Sequence, residues 1–378
     1  MKINYPNLSD TKLDKNTVIV RANLNLKFKN GEIDDDSKIK ALIPTLTYLQ
    51  ERECKTIILT HLGEDSSEYK DELSLLPIRF SLGRSLNKPI KFVNINNCQN
   101  SIKFMEFGDI LLIENLCFSE EEFSSNKTVK REFIEKISQF AEYYVNESFG
   151  VDSKLASTSI LSEVLKPLLG ISFQKELESI KKLKSAKKEN FISLIGGNIS
   201  DKKIAKLEKL AQKSQIILLG GEIALLFLKE SGLKIENEKI TNEFILKAKE
   251  IKEFAKKNEC EIVLPVDVML EKNKIIETGK VTANDIIKDI GPKTIQEYQS
   301  TIEKAKTLVV NGTMGVYEEE EYWNGTNDVF ETAALLSHKE CYKVIGGDDT
   351  MEAIKMLKIK NKKFGHISSS MSEYIRLI

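Results

Sequence analysis

The chain has 378 residues, and its 56 Lys and Arg residues nearly balance its 57 Asp and Glu residues. This length fits two domains that can each bury a core, and the balanced charge argues against a protein that mainly grips nucleic acid through its phosphates. Only six of the basic residues are arginines, so bidentate guanidinium contacts to phosphate are scarce. Five scattered cysteines without a C-x-x-C motif predict reduced thiols rather than a metal site.

The N-terminal sequence MKINYPNLSD has no long apolar run, and no segment approaches the roughly 18–20 apolar residues of a membrane span. We therefore expect a cytoplasmic protein, monomeric, with neither a membrane nor a nucleic acid as partner.

Short β-branched runs alternate with amphipathic stretches in the first half of the chain. This alternation is typical of a parallel sheet covered by helices on both faces. Asp36 or Ser37 is the expected N-cap of the first helix. Strands are predicted at 17–20, 56–60, 90–93, 110–113 and 143–145, and helices at about 38–53, 75–86 and 130–142.

A long helical stretch with a lysine-rich face follows from about 160 to 188 and predicts a connector. We accordingly place an N-terminal domain at 1–170, an interdomain helix or hinge at 171–189 and a C-terminal domain at 190–378. The alternation of strands and helices then resumes. Strands are predicted at 191–195, 215–219, 261–265, 307–310 and 342–345.

Small residues follow four of these later strands. Glycines at strand ends let a ligand approach backbone N–H groups, and ligands of open α/β sheets bind beyond the carboxyl ends of strands. The chain contains neither a P-loop nor a G-x-G-x-x-G motif. The second half is therefore predicted to bind a nucleotide or a phosphate. The pairs are Gly196-Gly197, Gly220-Gly221, Asn311-Gly312 and Gly346-Gly347.

A series of ordered motifs is specific enough to point to a family. These include VRANLNLKF, DDSKI, THLGE, ENLCF and YVNESFG in the first half, and GGNISDKK, LLGGEIALLFL, NGTMGVYE and VIGGDDT in the second. In this order they resemble phosphoglycerate kinase along the whole chain. The resemblance implies an α/β fold of two Rossmann-like lobes that face each other across a cleft, with parallel sheets covered by helices.

The resemblance also implies an activity and its partners. The family moves a phosphoryl group between 1,3-bisphosphoglycerate and ADP, which gives 3-phosphoglycerate and ATP in glycolysis, and its nucleotide carries Mg²⁺. The first lobe would bind the triose and the second lobe the nucleotide. Such chemistry depends on positioning and on positive charge around the transferred group.

The family's substrate-binding positions fall on residues that often differ from the family pattern. Asn23 replaces an aspartate, whereas Lys38, Glu64, Cys117 and Lys154 replace arginines. Lys38 is also assigned to catalysis. The substrate-binding positions are Asn23, Asn25, Lys38, His61, Glu64, Cys117 and Lys154.

The nucleotide-binding positions lie mainly at the four small-residue pairs. Lys202 and Asp349 are also assigned to catalysis, and Asp349 to Mg²⁺ through the nucleotide. The first of two family lysines is replaced by Asn198 or deleted, and Asp348 replaces a glycine. The positions are Gly196, Gly197, Lys202, Gly220, Gly221, Asn311, Glu318, Gly346, Gly347, Asp348, Asp349 and Thr350.

These replacements leave three functions open. The chain is a kinase of the phosphoglycerate type, a catalytically inactive homologue that serves as a scaffold or regulator, or a kinase for a less anionic substrate. A carboxylate at Asp348 about 4 Å from a phosphate charge would cost about 4 kcal/mol at an effective dielectric constant near 20. Glu64, Cys117, Asn198 and Asp348 favour the inactive alternative.

Overall fold

A computed structural model describes residues 5–29, 31–63, 68–337, 339–360 and 363–378. Its contacts divide the chain into two compact units, Met1–Glu178 and Ser179–Ile378. The dividing point lies within the segment 171–189 that the sequence assigns to the connector. Glu64, a predicted substrate-binding position, lies outside the described residues.

The first unit alternates strands and helices, as the sequence predicts, and its helices are amphipathic. Its elements are β1 Thr17–Ala22, β2 Phe28–Lys29, β3 Glu32–Ile33, α1 Ser37–Glu51, β4 Lys55–Leu59, α2 Leu76–Leu86, β5 Lys91–Val93, α3 Cys98–Lys103, β6 Ile110–Ile113, α4 Glu120–Phe123, α5 Lys127–Ser138, β7 Tyr143–Glu147, α6 Ala156–Ser159, α7 Leu161–Val164, β8 Lys166–Leu169 and α8 Ile171–Ser185, which continues into the second unit.

The main sheet of this unit has the strand order β5-β6-β4-β1-β7-β8, and each neighbouring pair is parallel. Both faces of the sheet are buried. Val18 and Val20 pack in one core cluster with Leu46 of α1, whereas Ile19 packs in another with Ile134 of α5. A parallel sheet covered on both faces is thus formed, and it aligns the carboxyl ends of β6, β4, β1 and β7 along one edge.

The structure corrects two elements of this unit. The stretch predicted as helical from 160 contains strand β8, whose Pro167 is tolerated because β8 lies at the edge of the sheet. Helix α5 begins at Lys127, earlier than predicted, since the Asn126 side chain accepts a hydrogen bond from the Thr128 N–H at 2.9 Å. It also ends earlier, at Ser138.

The second unit repeats the same architecture. Its elements after α8 are β9 Phe191–Ile195, α9 Asp201–Lys213, β10 Ile216–Leu219, α10 Gly221–Glu230, α11 Asn242–Lys257, β11 Glu261–Val263, β12 Asp267–Leu270, β13 Lys274–Glu277, β14 Ile287–Ile290, α12 Pro292–Ile302, β15 Thr307–Asn311, α13 Asn324–Leu335, β16 Tyr342–Gly346, α14 Asp348–Met356, β17 His366–Ser368 and α15 Met371–Leu377.

The larger sheet of this unit has the order β11-β10-β9-β15-β16-β17, again with parallel neighbours. Strands β10, β9, β15 and β16 are adjacent, so their carboxyl ends, where the small-residue pairs occur, lie side by side. The sequence did not predict the antiparallel sheet β13-β12-β14. Its four-residue strands are interrupted by charged residues and carry a weak alternation signal.

A buried carboxylate anchors the start of α8. Glu147, at the end of β7, accepts hydrogen bonds from the Ser172 and Phe173 N–H groups, each at 3.0 Å, and from the Thr45 hydroxyl. Gly170 packs directly against this carboxylate: a Cβ atom there would stand 2.3 Å from the Glu147 Cδ. The contact requires glycine at this position, because real Cβ atoms do not approach other atoms so closely.

We therefore predict that Gly170→Ala lowers the free energy of unfolding by roughly 1–3 kcal/mol, since the new methyl group displaces the Glu147 carboxylate from its donors. Gly279→Ala is the matched control, because a Cβ there meets nothing within 4 Å, and it should change stability by less than about 0.5 kcal/mol. Urea denaturation of both variants tests this. Equal stability of the two would contradict the role assigned to the contact.

Among the described residues, no helix is both long and apolar enough to cross a membrane.

Candidate functional site

The first unit gathers several predicted substrate-binding residues at the carboxyl edge of its sheet. Asn23 and Asn25 follow β1, and His61 follows β4. The Asn25 side chain pairs with the backbone of Gly63: its Oδ1 accepts from the Gly63 N–H at 3.0 Å, and its Nδ2 donates to the Gly63 carbonyl at 3.4 Å. Lys38 Nζ donates to the Asn25 carbonyl at 2.7 Å. Asn25, Lys38 and the segment 61–63 therefore form one local cluster.

Asn23, at the same edge of the sheet, makes a contact between two loops. Its Nδ2 donates to the Phe149 carbonyl at 2.9 Å, which joins the loop after β1 to the loop after β7. The sequence assigns this position to substrate binding. In the structure the amide nitrogen holds two loops together, and the Asn23 side chain is only half-buried.

A fully buried arginine, Arg21, lies beneath this cluster in β1. Its Nε donates to the Ser157 hydroxyl at 2.6 Å, and one terminal nitrogen donates to the Ala22 carbonyl at 2.5 Å. The other terminal nitrogen lies 2.6 Å from His61 Nδ1 and 4.0 Å from Glu122 Oε1. Ser157 in turn bonds Glu122 through both its N–H and its hydroxyl.

The surroundings of His61 keep its ring neutral. Burial lowers the pKa of His61 to about 3, and the positive charges of Arg21 and Lys38 act in the same direction. Burial also raises the pKa of Glu122, whereas Arg21 and the Ser157 donors oppose that rise. The cluster therefore combines two basic side chains, Arg21 and Lys38, with a histidine that stays uncharged at neutral pH.

The other two described arginine replacements lie differently. Cys117 is 1% exposed, and its thiol lies 3.9 Å from the Gly63 carbonyl, so it belongs to the packing of the cluster and brings no charge. Lys154 is exposed, and its backbone carbonyl accepts a hydrogen bond from Lys130 Nζ.

The second unit brings its small-residue pairs together, but their N–H groups are largely engaged within the protein. The Gly196 and Gly197 N–H groups donate to the carbonyls of Asn311 and Thr313 at 3.1 and 2.8 Å, and the Gly221 N–H donates to the Met314 carbonyl at 2.7 Å. These glycines therefore pack loop against loop. The prediction that they offer bare N–H groups to a ligand does not hold at these three positions.

Asn311 and Thr350 connect the ends of β15 and β16. Asn311 Nδ2 donates to the Gly346 carbonyl at 2.7 Å, and the Thr350 hydroxyl accepts from the Gly312 N–H at 2.7 Å. Gly347 has a φ of +102°, and a Cβ there would stand 2.3 Å from Asn311 Nδ2, so glycine is required at this turn. These contacts join the ends of β15 and β16 into one platform.

Helix α9 directs two lysines onto this platform. Lys203 Nζ donates to the Gly196 carbonyl at 2.7 Å, and Lys206 Nζ donates to Asn311 Oδ1 at 3.0 Å. Burial lowers the pKa of each to about 8, and the repulsion between neighbouring lysines acts in the same direction. Lys202, the residue predicted to be catalytic, is exposed on the same helix.

The acidic residues of the platform lie in the first turn of α14. Asp348 and Asp349 are both exposed, and each interacts electrostatically with Lys206, whereas Lys203 interacts with Asp349. Burial raises the pKa of Tyr317 above its usual range, and the negative charges of Asp349 and of the exposed Glu318 act in the same direction.

Glu222, the second residue of α10, is held by contacts to neighbouring side chains and backbone. Its carboxylate accepts from the Ile199 N–H at 3.3 Å and pairs with Lys239 Nζ at 2.7 Å. The Glu222 carboxylate is thus held by protein contacts.

Sequence reasoning missed Arg21, Lys203 and Lys206. For Arg21 the available signal was a single charged residue inside the apolar run 17–22. For the lysines it was the buried helical face of α9, which contains Ile204, Leu207 and Leu210. Lys203 and Lys206 each precede a buried residue of that face, whereas Lys202 does not.

No group of three or more His, Cys, Asp and Glu side chains that could hold a metal ion occurs in the described part of the chain. A single exposed carboxylate such as Asp349, beside lysines, fits Mg²⁺ that keeps waters and nucleotide phosphates as its other ligands.

The buried cysteine thiols of the two units give a testable prediction. All five cysteines are buried, and burial raises the pKa of Cys54, Cys260 and Cys341 to about 11, so thiolate is scarce and hard to reach. We expect no thiol of the native protein to react within minutes with Ellman's reagent at pH 8, and five to react in denaturant. One rapidly reacting native thiol, mapped to Cys117, would show that this position is open.

Comparison with known proteins identifies the family of the chain. A sequence model of the family "Phosphoglycerate kinase" matches residues 8–378. The phosphoglycerate kinase of Dictyoglomus turgidum is 33% identical over 375 residues, which cover 96% of this chain and 92% of that relative. The phosphoglycerate kinase of Wolbachia pipientis wMel is 33% identical over 386 residues, which cover 99% of this chain and 95% of that relative. The solved phosphoglycerate kinase of Coxiella burnetii superposes with a TM-score of 0.84 at 27% identity and covers 99% of this chain and 96% of its own. The chain belongs to the phosphoglycerate kinase family.

Proposed function

We propose that this protein is an active phosphotransferase that moves a phosphoryl group between 1,3-bisphosphoglycerate and ADP, and in reverse between ATP and 3-phosphoglycerate. The observation that carries the proposal is the pair Lys203 and Lys206, which is half-buried on the strand-end platform beside Asp349. The sequence alone suggested that this region had lost one lysine and gained a repelling carboxylate.

The pair Lys203 and Lys206 compensates the repulsion that the Asp348 carboxylate would exert on a phosphate. An uncompensated carboxylate here would oppose a phosphate by several kcal/mol. The sequence analysis assigned no role to Lys206. In the structure, Lys206 interacts electrostatically with both Asp348 and Asp349. Its charge offsets that of Asp348, and Lys203 offsets that of Asp349, so these four side chains carry no net negative charge toward a polyphosphate.

In the second unit, Lys203 would stabilise the negative charge of the transferred group, and Thr350 and Asn311 would keep the platform rigid. Asp349 would hold the Mg²⁺ that arrives with the nucleotide, which supplies further charge neutralisation for the phosphates. Glu318, close to Tyr317, is the candidate for a contact to the nucleoside part.

In the first unit, the Lys38 cluster would bind the anionic triose. Lys38 keeps a positive charge where the family has an arginine, but an ammonium lacks the planar fork that binds two phosphate or carboxylate oxygens at once. Cys117 contributes no charge. We therefore propose that this half retains its function with weaker binding of 3-phosphoglycerate than of nucleotide.

The second candidate is a catalytically inactive homologue that acts as a scaffold or regulator. The burial of Cys117 favours it, because an uncharged side chain packed under Gly63 removes one cation from the triose site. Each lost charge-assisted donor costs on the order of 2–4 kcal/mol in a transition state.

A coupled assay with purified protein, Mg-ATP and 3-phosphoglycerate decides between the two. We expect turnover with a KM for 3-phosphoglycerate that exceeds the KM for Mg-ATP by tenfold or more, because the arginine forks are missing from the triose site. Heat of Mg-ADP binding, measured in parallel by calorimetry, shows whether the nucleotide half is intact. Nucleotide binding without any turnover at saturating 3-phosphoglycerate would favour the inactive homologue.

Helix α9 offers a matched pair of variants. Lys203→Met should lower kcat/KM for Mg-ATP by about 10²–10³, as expected for loss of one charge that stabilises the transition state. Lys202→Met removes the same charge from the exposed neighbouring position and should change kcat/KM less than about threefold. The opposite ranking would return the catalytic assignment to Lys202.

A further inference from the structure

The hydrogen bond between Arg21 and His61 determines which nitrogen of His61 carries a proton. A guanidinium has N–H donors and no acceptor, so at 2.6 Å from Arg21 the His61 Nδ1 must accept. Nδ1 therefore presents a lone pair. A neutral imidazole has one N–H, and it must reside on Nε2.

The remaining contacts prevent Arg21 from turning away. Its Nε is bound to Ser157 and its other terminal nitrogen to the Ala22 carbonyl, and the whole side chain is buried. Ser157 is itself held by two hydrogen bonds to Glu122. Since Arg21 cannot rotate without breaking these bonds, the donor facing Nδ1 is fixed.

The positive charges around His61 also favour its neutral ring. Arg21 of β1 and Lys38 of α1 both disfavour an imidazolium. Glu122 of α4 lies 4.0 Å from the same terminal nitrogen of Arg21 and accepts a hydrogen bond from Ser157. Tyr144 of β7 and Cys117 also interact with Arg21. Protonation of Nδ1 would place two donors face to face.

We propose that Arg21 is a positioning residue that locks His61 in its neutral Nε2–H tautomer, so that His61 acts in the triose site as a hydrogen-bond donor and never as a cation or general base. This inference rests on the proposed function in taking 3-phosphoglycerate as the ligand. The proton of Nε2 suits an anionic oxygen of that ligand, and it stays in place over the whole physiological pH range.

The full-length protein, labelled with ¹⁵N in histidine, provides the test. Long-range ¹H–¹⁵N spectra distinguish a protonated from an unprotonated ring nitrogen, and His61→Gln assigns the His61 signals. We expect Nδ1 unprotonated and Nε2 protonated at every pH from 5 to 9. A titration with a midpoint near 6.5, or a proton on Nδ1, would overturn the proposal.

Addition of 3-phosphoglycerate tests the donor role. The Nε2 resonance of His61 should shift while that of His366, in the other unit, should not. If the tautomer is as expected but Nε2 does not respond, the donor role is overturned, and turnover of the same sample in the coupled assay then shows independently whether the kinase function stands.

Arg21→Lys provides a kinetic readout that a purely structural role would not change. A lysine keeps the charge but cannot make all three contacts, so Nδ1 loses its fixed donor. The tautomer with the proton on Nδ1 should then become populated in the ¹H–¹⁵N spectra, and the KM for 3-phosphoglycerate should rise with kcat less affected. An unchanged Nε2–H tautomer together with a wild-type KM, in a variant whose folding is confirmed by circular dichroism, would overturn the positioning role.

Discussion

The first unit depends on one buried positive charge. Arg21 lies in the central strand of a sheet whose both faces are apolar, and an unpaired charge in such a place would be very costly. Glu122, through Ser157, and the Ala22 carbonyl compensate that cost. The same requirement draws α4 and α6 against the end of β1. His61 completes the set of acceptors around Arg21, which links the candidate site to this buried charge.

In the second unit the charges to be compensated are negative and exposed, whereas in the first unit the charge is positive and buried. Here two carboxylates, Asp348 and Asp349, stand exposed at the start of α14, and the compensating charges come from Lys203 and Lys206 on a different helix. The lysines are held by carbonyl and amide oxygens at the strand ends. Because burial keeps their pKa near 8, they are charged at neutral pH but less strongly solvated than surface lysines, which favours binding of a polyphosphate.

The sequence predicted the parallel α/β architecture and the placement of the small-residue pairs, because strand ends and helix periodicity are local properties. It did not predict which lysine of α9 enters the site. The motif GGNISDKK suggests Lys202, but the direction of a side chain depends on where the helix begins and which face is buried, and Ile204 and Leu207 fix that face. Arg21 was missed because its partners Ser157 and Glu122 are more than one hundred residues away in sequence.

A substitution within a family motif therefore has little meaning until its surroundings are known. Asp348 read alone repels phosphate, yet beside Lys206 it is one member of a charge-balanced pair. Cys117 considered alone is a lost arginine, and the structure buries its thiol beneath Gly63, within electrostatic reach of Arg21. The two halves of the molecule thus differ in how far they compensate. The second unit offsets its carboxylates with Lys203 and Lys206 of α9, whereas the first unit relies on Lys38 and on the proton that the Arg21 contact fixes on Nε2 of His61.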